Sequence, residues 1–246
     1  ATVILEATND ITLNDLTDNI LTLATDSGGS VTFTADSDNN LAGDFVVLDV
    51  ADSIVTDGGA ISISGNNVTL GSINTDGAAA DGNITVSSEA STSIFAADAA
   101  TGTISLTTNS DASANADSLS ITNTLKAATI TLTGGDTGTE QLIGTDQTGT
   151  WFVTGANSGT YSSTGFSTAA AFSGYTNLVG GNAVDTFTFS AGGSLSGLID
   201  GDAGTDAVDY SAITMPGSIV TLGTNIANVE TVTGGATTNI LRATNI

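Results

Sequence analysis

The chain has 246 residues, of which 26 are acidic and two are basic, so its formal net charge is −24 although only 11% of its residues are charged. This balance excludes a nucleic-acid-binding protein, which needs many cations to release counterions from phosphates. The absence of Cys and His excludes a disulfide framework, a thiolate metal site and a nucleophilic triad. No apolar run reaches about 18 residues, so we expect no membrane insertion.

Short strands are predicted along the first half of the chain. Apolar–Thr–apolar triplets alternate there with clusters of Asp, Asn and Gly. The alternation places apolar side chains on one face and hydroxyls on the other, while the clusters form turns. The predicted strands are residues 11–13, 21–23, 31–33, 45–48, 61–63, 68–70, 84–86, 104–106, 119–121 and 129–133.

The spacing of these strands predicts an all-β, parallel β-solenoid of roughly 20 residues per coil. Strands this short form no stable sheet alone, but they are stable when each pairs with its equivalent in the coils above and below. A β-sandwich is the alternative. Sandwich strands are usually longer, and Pro usually marks their turns, whereas Pro216 is the single Pro here.

Composition divides the chain into two regions. Residues 1–145 are regular and rich in Thr and Ser, and aromatic residues are rare there. Residues 146–246 contain most of the aromatic residues together with Gly/Asp turns. We interpret the second region as a less regular continuation of the same solenoid. The Ala-rich segment 167–172 predicts a helical turn or a bulge.

The stretch DGGAISISGNNVTLGSINTDGAAADGNITVSS at 57–88 resembles the repeats of filamentous-haemagglutinin-like adhesins. Residues 150–160 and 177–212 resemble segments near the ends of the same bacterial surface proteins. The resemblance implies a right-handed parallel β-helix, an extracellular or cell-surface location, and a role in adhesion, aggregation or biofilm cohesion. That family's secretion domain carries Asn-Pro motifs, which this chain lacks, so we expect a segment from the shaft or the distal end.

Two segments resemble the repeat-in-toxin calcium motif G-G-x-G-x-D-x-U-x. They are GGNAVDTFT at 180–188 and GDAGTDAVD at 201–209. Because the copies start about one coil apart, we expect Asp185 and Asp206 to lie one above the other, and carboxylate oxygens suit Ca²⁺. Two ordinary Asx-Gly turns without metal are the alternative. The candidate calcium ligands are Asp185, Asp200, Asp202, Asp206 and Asp209.

Enzymatic activity is not expected. Parallel β-helices host polysaccharide lyases and hydrolases, but the two cations Lys126 and Arg242 lie far apart in the sequence. Nearly all carboxylates stand beside Gly or Asn in turns, where water keeps them ionised. An ice-binding face is also not expected, because the Thr-x-Thr segments at 32–34, 101–103, 129–133, 186–188 and 231–233 share no common period.

Glycans are a candidate partner. Rows of outward Thr and Ser either solvate the β-surface or contact a carbohydrate. Trp151, Tyr161 and Tyr175 either line a sugar platform or fill the core, and the sequence leaves both alternatives open.

The two ends of the sequence repeat one phrase, ILEATND at 4–10 and ILRATNI at 240–246. Both are strand-like and uncapped, and an open solenoid end exposes unpaired backbone groups. We expect the last strand to fall on the edge where the first lies, so that Glu6 of one copy faces Arg242 of another. Chance similarity in a chain rich in Ala, Thr and Ile is the alternative. The candidate interface residues are Ile4, Leu5, Glu6, Ile240, Leu241 and Arg242.

The sequence therefore predicts an extracellular bacterial structural protein. Its partner is a second copy, joined head to tail in a surface or matrix fibre that calcium stiffens, because heterologous contacts of this kind produce open filaments. A surface-layer lattice protein and a shaft fragment of a giant secreted adhesin are the alternatives.

Overall fold

The structure is a computed structural model, and it describes residues 1–23, 28–108, 116–135, 139–213, 218–222, 225–235 and 239–243, with the backbone alone at 218–222 and 239–243. These residues form 26 β-strands and no helix. None of the described segments is therefore a helix that could cross a membrane.

Thirteen strands lie between residues 2 and 126. They are β1 (Thr2–Glu6), β2 (Ile11–Leu13), β3 (Ile20–Leu23), β4 (Ser30–Thr34), β5 (Phe45–Val47), β6 (Ser53–Thr56), β7 (Ala60–Gly65), β8 (Val68–Asn74), β9 (Ile84–Ser88), β10 (Thr92–Asp98), β11 (Thr103–Thr107), β12 (Ser118–Ile121) and β13 (Leu125–Lys126). All ten predicted strands are confirmed, each within a residue or a few of its expected bounds.

The remaining strands follow in the second half. They are β14 (Thr129–Thr133), β15 (Gln141–Ile143), β16 (Gly149–Gly155), β17 (Ser158–Ser163), β18 (Ala170–Ser173), β19 (Asn177–Gly181), β20 (Asp185–Phe189), β21 (Ile199–Asp202), β22 (Ala207–Asp209), β23 (Ser218–Leu222), β24 (Ile226–Ala227), β25 (Thr231–Thr233) and β26 (Asn239–Ala243).

Two long, mostly parallel sheets contain these strands. Sheet 1 has 12 strands in the order β1-β4-β7-β9-β11-β14-β18-β17-β16-β20-β22-β25. Sheet 2 has 14 strands, of which β2-β5-β8-β10-β12-β15-β19-β21-β24-β23-β26 form the main path, and β3, β6 and β13 pair beside it. The chain passes repeatedly from one sheet to the other, so neighbours within a sheet are distant in sequence.

The core lies between the inward faces of the two sheets. Ile61 pairs with Ile84, Ile84 with Ile104, and Ile104 with Ile130, and all four side chains are buried. The intervening residues Ser62, Thr85, Ser105 and Thr131 point outward and are partly or fully exposed. The two-residue period of the sequence thus fixes which side chains enter the core.

The length of chain between paired strands, which we call a circuit, varies. It is 20 residues between Ile84 and Ile104, 30 between Ser30 and Ala60, and 40 between Thr131 and Ala171. The circuit is therefore not a constant 20 residues, because the turns between the strands differ in length and the longest of these circuits also contains β16 and β17. Both sheets also run through the expected boundary between residues 145 and 146, since β14 pairs with β18 in sheet 1 and β15 pairs with β19 in sheet 2.

A three-stranded antiparallel meander interrupts sheet 1. Strand β17 pairs antiparallel with both β16 and β18. The prediction of a helical turn or bulge at 167–172 is wrong, because Ala170 and Phe172 are buried core residues of strand β18. Large aromatic side chains fill the core beside the meander, where Trp151 stacks on Tyr161 with ring centroids 3.8 Å apart.

Candidate functional site

The first circuit leaves one end of the core uncovered. Strand β1 begins sheet 1 and strand β2 begins the main path of sheet 2. Leu5 belongs to an inward column, yet it is 48% exposed, whereas its cross-strand partner Phe33 is only 6% exposed. Among the described side chains, most of the exposed large hydrophobic ones lie in the first 50 residues, namely Ile4, Leu5, Ile20, Leu41, Leu48 and Val50.

The expected interface residues lie on two different edges. Ile4, Leu5 and Glu6 belong to β1, the edge strand of sheet 1, whereas Ile240, Leu241 and Arg242 belong to β26, the edge strand of sheet 2. The prediction that the first and last strands share an edge is therefore wrong. It divided the 236 residues between positions 4 and 240 by a constant coil of about 20 residues, and the circuits vary in length.

Asp185 and Asp206 lie in consecutive circuits at the same position, which confirms their predicted stacking. The next pair along their strands is Thr186 with Ala207. The backbone N–H of Asp185 donates a 2.7 Å hydrogen bond to Oδ1 of Asp206. The backbone N–H of Asp206 donates in turn to Oε2 of Glu230 at 2.5 Å. We call Asp185, Asp206 and Glu230 the acidic ladder.

Glycines make room for the acidic ladder. The N–H of Gly181 donates to Oδ2 of Asp185 at 2.9 Å. A Cβ at Gly180 would lie 2.6 Å from the same oxygen, and a Cβ at Gly201 would lie 2.6 Å from Oδ2 of Asp206. The Gly-rich turns that resemble a calcium motif therefore allow carboxylates to approach backbone N–H groups within the fold.

Burial raises the pKa of Asp185 to about 6. The N–H of Gly181 lowers this pKa, and the charge of Asp206 raises it. Burial also raises the pKa of Asp206, opposed by the N–H of Asp185 and reinforced by the charges of Glu230, Asp202 and Asp200. Asp185 and Asp206 therefore hold negative charge at a free-energy cost, since burial disfavours the ionised form.

The other candidate calcium ligands lie outside the ladder. Asp200 accepts a hydrogen bond from Nδ2 of Asn228 at 2.8 Å, and Asp202 is exposed with a φ of 66°. Oδ1 of Asp209 accepts the N–H of Ser211 at 2.7 Å. Within the part of the chain that the structure describes, no group of three or more acidic side chains is arranged to hold a metal ion.

A polar cleft of about 210 Å³ lies beside the ends of β4, β7 and β9, and the sequence analysis did not predict it. The pKa of Asp36 is lowered overall. Burial alone would raise it, but the hydrogen bonds with the backbone N–H groups of Asn40 and Leu41 and with Glu89 have the larger combined effect. The acidic turn at 35–40 is visible in the sequence, whereas its proximity to Glu89 depends on the register of three strands. Asp36 and Glu89 line the cleft, and Thr34, Ser64 and Ser87 are among the other residues that line it.

The outward hydroxyls of sheet 1 lie in register across neighbouring strands. Thr32 pairs with Ser62, Ser62 with Thr85, and Thr85 with Ser105. The argument that Thr-x-Thr segments without a common period cannot align is wrong, because turns of different length compensate for the uneven spacing. Trp151, Tyr161 and Tyr175 are fully buried, so the core alternative holds for these three aromatic residues.

Comparison of the chain with protein-family models, with curated proteins and with solved structures gives no match.

Proposed function

We propose that this protein is an extracellular structural protein that builds a surface or matrix fibre by head-to-tail stacking of right-handed parallel β-helices. The observation that carries the proposal is the uncovered first circuit, where a core column ends in the half-exposed Leu5. A second copy covers this end and continues the hydrophobic core.

The backbone of the same end favours strand addition. An edge strand presents unpaired N–H and C=O groups, and soluble proteins usually protect such edges with charges, Pro or a cap. Strand β1 has the sequence TVILE, with one charge at its last position. It lies in a sheet of 12 strands, so an added strand extends an existing ladder.

The bacterial and extracellular part of the proposal is supported by the resemblance of residues 57–88 to adhesin repeats. The absence of Cys and the net charge of −24 agree with a stiff, hydrated surface protein that needs no disulfides. A role in adhesion to glycans is the accompanying proposal, supported by the hydroxyl columns of sheet 1.

Calcium is proposed as a weak ligand of the acidic turns around Asp200, Asp202 and Asp206. The crowding of carboxylates supports this proposal: burial raises the pKa of Asp206 most, and the charges of Glu230, Asp202 and Asp200 raise it further, so a cation would lower their repulsion. A titration with Ca²⁺ and with Mg²⁺ at equal ionic strength, on the native chain and on the D200N/D202N variant, tests it. Equal responses to both ions, unchanged in the variant, would show charge screening only.

The stacking proposal is tested by negative-stain electron microscopy of the purified chain. We expect unbranched filaments, and we expect the Ile4→Lys variant to give single short rods because it places a charge on the apolar end. Val184→Lys is the matched control, since Val184 is also half exposed but lies far from this end.

Single rods from the native chain would contradict the proposal that copies stack into a polymer. In that case the uncovered circuit joins a flanking segment of a longer chain, as in a shaft fragment. Two-dimensional sheets would instead support a surface-layer lattice, whose contacts are lateral.

A further inference from the structure

One outward column of residues crosses the whole of sheet 1. It begins at Ile4 in the first strand of this sheet and ends at Thr233 in its last strand, β25. Each residue of the column is the cross-strand partner of the next. The members in order are Ile4, Thr32, Ser62, Thr85, Ser105, Thr131, Ala171, Thr160, Phe152, Thr188, Asp209 and Thr233.

We infer that two stacked copies meet with β25 of one copy paired to β1 of the next, so that Thr233 lies opposite Ile4, and with β26 paired to β2. This register rests on the proposed head-to-tail stacking and specifies which strands form the joint. It replaces the register suggested by the repeated phrase, in which Arg242 would face Glu6.

Strand direction supports this register. Strand β1 is parallel to β4, and β25 is parallel to β22. Following the ladder through the meander, the two reversals at β17 cancel, so β16 again runs parallel to β20. A copy translated along the stack therefore presents β1 to β25 in parallel orientation, which extends the same hydrogen-bond pattern.

Side-chain parity supports the register as well. Because Thr233 faces Ile4, the preceding residue Val232 faces Val3, and both are partly buried hydrophobics that pack against the core. A slip by one residue would place the inward Val232 beside an outward residue of β1, so the core faces of the two copies would no longer meet. Pairing β26 with β1 would instead join the edge of sheet 2 to the edge of sheet 1 and leave both core faces misaligned.

The joint can be mapped with disulfides because the native chain has no Cys. Ile4→Cys and Thr233→Cys are made as separate proteins, mixed, and oxidised by air with a copper catalyst. Adjacent strands lie about 4.8 Å apart, which falls within the Cα separation that a disulfide accepts. We expect a covalent heterodimer that reducing agent abolishes.

Three further mixtures of Cys variants distinguish the inferred register from the alternatives. I4C with I240C tests the register of the repeated phrase, and I4C with F152C is the control from the middle of the same column. T2C with T231C repeats the inferred register at a second outward pair, in case either first variant folds poorly.

Filaments with a 4–240 crosslink, or filaments with no crosslink at 4–233 and 2–231, would overturn the register while leaving stacking intact. Absence of both filaments and crosslinks would overturn the stacking itself. A crosslink at 4–233 or 2–231, with none at 4–152, supports the register.

Discussion

The backbone N–H of Asp185 donates to the carboxylate of Asp206, a residue 21 positions later in the sequence. This bond connects two circuits through a side chain rather than through strand pairing alone. Its neighbour, the bond from Asp206 to Glu230, repeats the arrangement one circuit further. The acidic ladder is thus part of the structure that holds the second region together, and its protonation affects stability.

Stability is expected to rise as the pH falls from about 7 to about 4.5, because the native state then binds more protons than the unfolded chain. The folded pKa of Asp185 is about 6, above its ordinary value of 3.8, so the group binds a proton more readily in the folded state. Thermal unfolding followed by circular dichroism across this range measures the effect. Asp206 contributes in the same direction.

Asp185→Asn should flatten this part of the pH profile, since the amide is neutral at every pH. Asp15→Asn is the matched control, because it removes one charge at an exposed position. Equal profiles for the two variants would contradict a role for Asp185.

At lower pH the trend should reverse, because Asp36 and Asp81 have lowered pKa values and lose their stabilising hydrogen bonds as they are protonated.

Gly82→Ala should destabilise the first region strongly. Gly59, Gly82 and Gly102 lie one above the next, and a Cβ at Gly82 would lie 2.5 Å from the carbonyl oxygen of Gly59. That oxygen is backbone and cannot move aside without shifting a circuit. Gly192→Ala is the control, since its nearest neighbour would be at an ordinary 3.5 Å. Urea unfolding midpoints compare the two, and equal midpoints would refute the contact.

Ile84→Ala should lower the free energy of unfolding by about 2–5 kcal/mol, the usual cost of a cavity in a packed core. Ile84 is fully buried between Ile61 and Ile104. Thr85→Ala, one residue along on the outward face, should change it by no more than about 0.5 kcal/mol. Chemical denaturation of both variants measures the difference, and similar losses would contradict the assigned facing of strand β9.

Tyr161→Phe should cost about 1–3 kcal/mol, the penalty for leaving a buried donor unsatisfied. The hydroxyl oxygen of Tyr161 accepts the backbone N–H of Thr145 at 2.8 Å. Fluorescence of Trp151, which stacks on this ring, follows the unfolding. An unchanged midpoint would indicate that water or another group replaces the hydroxyl.

The strands of the first region could be predicted because each one follows from a local sequence pattern, an alternation of apolar and hydroxyl side chains. Asp185 and Asp206 could be aligned because the circuit between them, 21 residues, is close to the assumed period. Positions 4 and 240 could not be aligned, since many circuits of unequal length separate them. The error made by assuming a constant circuit length accumulates over all of these circuits. The proximity of Asp36 to Glu89 could not be predicted for the same reason, although fewer circuits separate these two residues.

The orientation of the carboxylates in the acidic ladder could not be predicted from the sequence either. A Gly-rich turn with Asp can direct its oxygens toward a metal or toward backbone N–H groups, and both uses need the same residues. The positions of Gly181 and of the N–H of Asp185 show that a backbone donor contacts one oxygen of each carboxylate, whereas Oδ1 of Asp185 and Oδ2 of Asp206 are buried without a hydrogen-bond partner among the described residues.

The meander makes the two sides of the protein unequal in height. Strands β19 and β21 are direct neighbours in sheet 2, whereas β17 and β16 separate β18 from β20 in sheet 1. Two additional strands correspond to about 10 Å on one side, and the ring stack of Trp151, Tyr161 and Phe187 fills the wider interior there. We expect the insertion to act as a wedge that inclines the circuits on its two sides against each other. If copies stack in a constant register, each would repeat this inclination, and we expect their assembly to follow a superhelical path rather than a straight line.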